Sequence, residues 1–531
     1  MKFKDLTPEQ VEEARLIYTN KGLPWDDRMD LLKALFGKTE RTTRRWCSEK
    51  LKFNEKETPE PEQYLKAKTR KHDKDKKRFM ITWGQSDTAV HLPFFRNMKA
   101  YAKFIDASIH VIAGRYKNPT SLQASAKVKS TEEWNDQLLP YLDANRHNIH
   151  KYLSIMSDIK IQPTAINPMS GLRGVSGINS CVFGGPKVQF EMIPVLEGDK
   201  PKAMLTTGAV TRMNYTDTKA GKKGEFHHTY GFVIVEIADG NVFHFRQVTA
   251  DDNTGAFNDL YYNVKGGNIT LNKKIEAIIL GDIHYGDHEE KVLKNTHKLL
   301  KKLAPNNVVL HDVFNGTAIN HHEMKDSFIQ YEKEVFGTND LQKEIDYMLL
   351  RLSEFNKYKK VIIARSNHDD FIDRWLKIGD WKKQPTTKNS EVYMKLSSML
   401  LKQHREGNVI GVIPEIINTN LKNFTALRLN ESYKVKNWEL GHHGHNGTNG
   451  SRGSLLQFRG LNTKVVIGHY HSPGRKDGAL SVGTSTKLRL GYNNGASSWF
   501  NSHVIIHEDG RAQHVNFVFD DDGGMSFTTL E

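Results

Sequence analysis

Short apolar runs recur through the C-terminal half of the chain, and each delivers a loop rich in Asp, His and Asn. The run 275–280 predicts a strand leading into Gly281-Asp282-Ile283-His284. A helix over about 288–303 follows, then a strand at 307–310 that delivers His311-Asp312-Val313-Phe314-Asn315. Further strands at 360–364, near 438–440 and at 464–467 deliver Ser366-Asn367-His368-Asp369, Gly441-His442-His443-Gly444-His445 and Gly468-His469-Tyr470-His471. Runs this short, bounded by turn residues, fit buried strands joined by helical crossovers.

The N-terminal pattern is different. Thr7-Pro8-Glu9-Gln10 carries a capping threonine, a first-turn proline and a glutamine placed for a capping box, and Val11, Ala14, Ile17 and Tyr18 then share a helical face. A second helix is predicted over 25–36 with Gly37 as its left-handed stop. A third, capped by Thr39, carries Arg41, Thr42, Arg44 and Arg45 with Trp46 turned inward. A helix, a tight turn and a basic helix suit a helix-turn-helix, with Arg41, Arg44 and Arg45 as candidate DNA contacts; a hairpin that only docks on its neighbour has the same pattern. Residues 53–78, with Glu57-Thr58-Pro59-Glu60-Pro61-Glu62 and then dense Lys and Arg, are predicted to be a basic linker.

Between them, 79–82, 92–105 and 108–113 predict a β-α-β unit, and 231–236 and 241–245 add β-rich segments. No phosphate loop or GxGxxG occurs there, and only position, just past a strand end, singles out Trp83-Gly84-Gln85-Ser86-Asp87. The fold class expected is α/β. The domains expected are a small helical one at 1–52, the linker at 53–78, a mixed α/β domain of unassigned role at 79–270, and a C-terminal domain at 271–531.

Composition narrows the classes. At 531 residues the chain exceeds a single core. Its mean hydropathy of −0.59 and the lack of any long apolar stretch argue against a membrane span, and Met1-Lys2-Phe3-Lys4-Asp5 lacks the apolar core of a signal peptide. Two cysteines, Cys47 and Cys181, provide neither a disulfide framework nor a zinc-cysteine site, so a cytoplasmic protein is expected. The net charge of +14 favours a polyanionic partner, because Lys and Arg displace the counterions held by phosphates.

Alternate residues of an extended segment project to one side, so Asp282 and His284 can grip one cation. Two divalent cations need a bridging carboxylate, completed by imidazole and carboxamide. Such ligands suit manganese, iron, zinc or nickel better than calcium.

The order DxH, DxxN, NHD, HGH and GHxH resembles the calcineurin-like metallophosphoesterase superfamily over about residues 275–490. The resemblance implies two facing β-sheets flanked by helices, with two metal ions at the sheet edge. Manganese is the first choice, with iron, zinc, nickel or magnesium as alternatives. It implies Asp282, His284 and His471 on one metal, Asp312 bridging, and Asn367, His443 and His469 on the other. His368, hydrogen-bonded to Asp369, would meet the phosphate, with Asn315 on the substrate side. His311 and Ser366 replace glycines usual in the family, and His442, His443 and His445 crowd the fourth motif, where His443 is chosen because it directly precedes glycine. The implied reaction is phosphodiester hydrolysis by a two-metal-activated hydroxide, with DNA as the expected partner and a homo-oligomer as an open alternative. The layout is also similar to that of the pre-early, host-DNA-degrading proteins of T5-like phages, which implies action in the host cytoplasm. Two other readings stay open: a phosphatase of small nucleotides or phosphoproteins, and a DNA-binding adaptor whose phosphoesterase domain is regulatory.

Overall fold

The computed structural model describes residues 3–19, 25–53, 64–66, 75–116, 133–238, 240–271, 274–383 and 386–528. Most of the expected basic linker, including Glu57 to Glu62, Lys68, Arg70, Lys71 and Lys74, lies outside them. The chain divides into two compact units, residues 1–188 with 205–272, and 189–204 with 273–529. No helix among the described residues is long and apolar enough to cross a membrane.

In the first unit, the helix Pro8–Thr19 starts with the expected capping box. Thr7 N donates to Gln10 Oε1 at 3.0 Å and Gln10 N to Thr7 Oγ1 at 3.2 Å. The helix Trp25–Phe36 is followed by Gly37 at φ +61°. The helix Glu40–Arg45 departs from expectation at its start, because Thr39 makes no side-chain cap bond and its hydroxyl meets Thr42 Oγ1 at 3.2 Å. Ala14, Ile17, Met29, Leu32, Phe36, Trp46 and Cys47 close a small core of their own.

The β-α-β pattern is realised as the strand Arg78–Gln85, the helix Leu92–Phe104 and the strand Ala107–Gly114, with the two strands parallel. The antiparallel pair Gly231–Ile237 and Phe243–Thr249 extends the sheet on one side, and Leu142–Asp143 extends it on the other. Its core holds a fully buried ion cluster. Arg246, 1% exposed, donates Nη2 to Asp259 Oδ2 and Nη1 to Glu236 Oε2, both at 2.7 Å. Tyr101 donates to the same Asp259 oxygen at 2.7 Å, and Arg78 Nε lies 3.4 Å from Glu236 Oε1, so two guanidiniums face the two carboxylates.

The second unit is built on two sheets. Twelve of its strands are labelled β1 (Ile275–Ile279), β2 (Asn307–Leu310), β3 (Val361–Ile363), β4 (Phe424–Ala426), β5 (Lys434–Val435), β6 (Trp438–Glu439), β7 (Lys464–Ile467), β8 (Gly474–Lys476), β9 (Ala479–Ser481), β10 (Ser502–His507), β11 (Ala512–Phe519) and β12 (Met525–Phe527). One sheet has the order β4-β3-β2-β1-β10-β11-β12. Its first four strands are parallel, and β10 to β12 continue it antiparallel. The other sheet runs β5-β6-β7-β9-β8 and continues into Gln189–Ile193, which pairs with β8. Ala277, Ile279, Val309, Ile362, Val504 and Ile506 of the first sheet share one hydrophobic core with Val435, Trp438, Val466 and Leu480 of the second. The helix Glu290–Leu303 joins β1 to β2 and buries Val292, Leu293, Leu299, Leu300 and Leu303 on one face. The helices Ser327–Phe336 and Leu341–Ser353 lie between β2 and β3.

Candidate metal centre

Three adjacent parallel strands, β1, β2 and β3, end beside one another, and the residues just past their ends are Asp282, Asp312 and Asn367. From the second sheet, β6 leads to His443 and β7 to His469 and His471. The strand-end loops bond one another as the ladder stops: Ile283 N donates to His311 O at 3.1 Å and His284 N to Asp312 O at 2.6 Å. Four of these residues sit in the left-handed backbone region, His284 at φ +49°, Asp312 at +45°, His469 at +74° and His471 at +55°. That region disfavours side-chain-bearing residues, so the surrounding fold holds a strained backbone that aims these groups inward.

Asp282, His284, Asp312 and His471 are all buried, with one possible ligand atom from each lying within 4.8 Å of all the others. Asp282, His311 and His443 form a second such group. His471 Nε2 is 3.2 Å from Asp282 Oδ2, and His284 Nε2 and His443 Nε2 are 3.3 and 3.0 Å from Asp312 Oδ2. His469 donates its backbone N–H to Asp282 Oδ2 at 2.6 Å, and its Nδ1 lies 3.1 Å from Asn367 Oδ1. The seven residues expected as ligands thus lie near one another, five of them in the two groups and Asn367 and His469 beside them, and His443 is the one of the three crowded histidines with Nε2 3.0 Å from Asp312 Oδ2.

Two further observations test whether these residues suit a metal. Among the described residues, Asp282 Oδ1, Asp312 Oδ1, His284 Nδ1, His311 Nε2 and His471 Nδ1 are buried without a hydrogen-bond partner. Each such atom costs about 1–3 kcal/mol unless something satisfies it; the two carboxylate oxygens, Asp282 Oδ1 and Asp312 Oδ1, fit cation ligation, while His284 and His471 turn Nε2 and not Nδ1 toward those carboxylates. Gly468 packs so closely that a Cβ there would stand 2.2 Å from Asp282 Oδ1 and 3.1 Å from both His311 and His443. The donor set of carboxylate, imidazole and carboxamide suits a divalent transition metal.

The electrostatics divide the histidines of the cluster into two groups. Burial raises Asp312, but His443 and His284 outweigh it and hold the carboxyl well below its usual range. Burial lowers His443, yet Asp312 overrides it and pushes the ring up to about 9. His311 and His469 go the other way, down to about 4, through burial and the neighbouring His443. His311 and His469 are thus in the neutral form that ligates a cation beside an ionised Asp312, whereas His443, held protonated by Asp312, would release its proton on binding one.

The expected pair of His368 and Asp369 is not formed. His368 Nδ1–H donates to the Asn315 carbonyl at 2.7 Å, and its ring lies 4.5 Å from that of His284. Asp369 instead accepts from Ser366 N at 2.9 Å while Asp369 N donates to Ser366 Oγ at 3.2 Å. These reciprocal bonds close a Ser-x-x-Asp turn that leads into the helix Asp369–Ile378; they engage Oδ2 of the carboxylate and leave Oδ1 buried without a hydrogen-bond partner. Burial and the nearby Asp312 push Asp369 up to about 7 despite the Ser366 bond. Asn315 donates Nδ2 to Asp287 Oδ2 at 2.8 Å and to Thr317 Oγ1 at 2.9 Å, so its side chain braces the loop while its carbonyl orients His368. Arg41, Arg44 and Arg45 are exposed on Glu40–Arg45; Arg44 pairs with Glu40 at 2.7 Å and lies over the Trp25 ring. His311 is the site residue that sequence reasoning left out of the ligand set, although its place directly before Asp312 was the available signal.

Fold and site together define an α/β protein with a buried His/Asp cluster that could hold a metal ion. The chain is similar to "Protein A1" of Escherichia phage T5, with 29% identity over 460 residues, covering 84% of this chain and 82% of that protein. The chain is thus related to a phage protein. No protein-family profile matches it, and no solved structure matches it.

Proposed function

We propose that this chain is a metal-dependent phosphodiesterase of the calcineurin-like metallophosphoesterase type that hydrolyses DNA, with a phage-encoded role in degrading host DNA in the cytoplasm. The observation that carries the reading is the convergence of Asp282, His284, Asp312, His443 and His471, with Asn367 and His469 beside them, at the ends of strands from two sheets. Asp312 leaves the middle one of three neighbouring strands and has histidines on two sides, a position suited to a carboxylate shared between two cations. Two divalent ions, manganese first among them, would supply Lewis acidity that acidifies a water and offsets charge on the phosphoryl group. The chain's own part is to hold that geometry. His368, fixed through Nδ1 to Asn315, leaves Nε2 as the atom available to a phosphoryl or leaving-group oxygen. The net charge of +14 supports a polynucleotide substrate over a small one.

The test is incubation of the full chain with Mn2+ and linear, circular and single-stranded DNA, alongside a chromogenic phosphodiester. Loss of DNA that EDTA abolishes is expected. Intact DNA together with an intact diester across manganese, magnesium, zinc, nickel and iron would overturn the reading. Phosphate release from a nucleotide with DNA untouched would move it to a small-substrate phosphatase.

A further inference from the structure

A cavity of about 460 Å³ opens within the second unit, beside the ligand cluster. Tyr470 and Ser472, which flank His471 in sequence, both line it. So does Trp499, whose ring stands 4.1 Å from the His471 ring at 66°. Phe500 N donates to His471 O at 3.0 Å, which ties the Trp499 segment to the same ligand. The cavity is thus one side chain away from the metal centre. None of its lining residues has so far been given a role.

Its chemistry is mixed in a particular way. Trp499 and Tyr470 offer aromatic surface. Ser472 and Ser498 join their hydroxyls at 2.7 Å, and Asn494 lies on the rim. Lys476 neutralises Glu191 at 2.9 Å, which leaves the lining without an unpaired carboxylate to repel a phosphate-bearing ligand. The volume falls within the roughly 300–1,000 Å³ usual for a small-molecule site. Aromatic faces that stack any base, with a few hydroxyls and amides, are what single-stranded nucleic-acid sites use.

We infer that this cavity is a nucleoside subsite, which receives the base and sugar next to the scissile phosphate and stacks the base on Trp499. The inference rests on the phosphodiesterase reading for its purpose, though not for its test. A base inside the cavity cannot remain in a duplex stack, so the subsite selects a strand end or an unpaired nucleotide. Single-stranded DNA and frayed ends are then cut in preference to relaxed circular duplex.

The deciding experiment measures binding by calorimetry on the full chain in EDTA. The probes are 2′-deoxyadenosine 5′-monophosphate and 2-deoxyribose 5-phosphate, which differ only in the base. The nucleotide is expected to bind about 5- to 150-fold more tightly than the sugar phosphate, the range that base–aromatic stacking gives. Trp499→Ala should abolish that difference and Trp499→Phe should keep most of it. Because Trp499 packs on His471, Ala496→Trp provides a second variant that fills the cavity from its exposed rim; it too should remove the preference. Equal binding of the two probes to the unaltered chain, no binding of either, or an undiminished preference in Ala496→Trp would overturn the subsite. A chain that cleaves DNA with Mn2+ but ignores the base would lose the subsite and keep the phosphodiesterase reading. A chain that prefers the nucleotide but hydrolyses no diester would do the reverse.

Discussion

Asp312, His311 and His368 show how much at this site depends on single side chains. On the proposed reading Asp312 is shared, so Asp312→Ala should lose both metal ions, whereas Asn367→Ala should mainly weaken one. Elemental analysis of the purified variants distinguishes these outcomes, and two ions retained by Asp312→Ala would end the bridging role. His311 Nδ1 lies 3.3 Å from His443 Nδ1, so His311→Ala is expected to weaken metal binding about 10- to 100-fold, as removing a ligand's support does. A metal titration with unchanged affinity would leave His311 as packing. His368 meets the ligand His284 only through its ring. His368→Ala should therefore keep its metal content and cut turnover by about a hundredfold or more, as loss of one transition-state donor does. Unchanged turnover would shift that role to another group, with His445, 5.6 Å from His443 ring to ring, next in position. The residues of the buried His/Asp cluster are legible in the sequence because their residue types recur just past short apolar strands. The role of Asp369 is not, because adjacency to His368 along the chain does not bring the two side chains together, and Oδ2 of Asp369 turns to the Ser366 backbone instead.

Elements differ in how far their causes lie from them. The helix Pro8–Thr19 is legible because its capping box and apolar face are local. The strand Gln189–Ile193 is not, because its partner Gly474–Lys476 lies far along the chain and no local pattern announces the pairing. The start of the helix Leu92–Phe104 carries a measurable prediction. His91 Nδ1 accepts from Phe94 N at 3.2 Å while His91 Nε2–H donates to Asp252 O at 2.9 Å, so the cap requires the neutral ring. Burial, then Arg212, pushes its pKa down to about 4, and burial does the same to His228, which donates Nε2–H to Thr211 O at 3.0 Å. An unfolded histidine titrates near 6.5, so between about pH 6.5 and pH 4 the unfolded chain binds protons that the folded one refuses. The contribution of these two histidines is full above that window and should fall as the pH drops through it. Melting temperatures across the range check this, and His91→Asn, which keeps a cap acceptor without a titratable ring, should flatten the fall. A flat profile in the unaltered chain would contradict it.

At the scale of the whole molecule the open question is where the positive charge acts. Arg41, Arg44 and Arg45 share one exposed helix, and replacing all three with alanine leaves every metal ligand untouched. If that helix lies on DNA, affinity should fall and the slope of log affinity against log salt should flatten by about 0.9 for each duplex phosphate that is no longer neutralised. An unchanged slope would make these arginines ordinary solvated surface.

The strand order β4-β3-β2-β1 has a consequence for how freely the chain can be rearranged. Neighbouring strands stand about 4.8 Å apart whatever connects them, so the hydrogen-bonded sheet acts as the ruler that spaces Asp282, Asp312 and Asn367. The connections carry no such information. The turn at Gly337, between the helices Ser327–Phe336 and Leu341–Ser353, is one place where the connection could be cut. A chain split there, or circularly permuted to begin there, would still gather its ligands, because their neighbourhood is written in strand pairing and not in the order of synthesis.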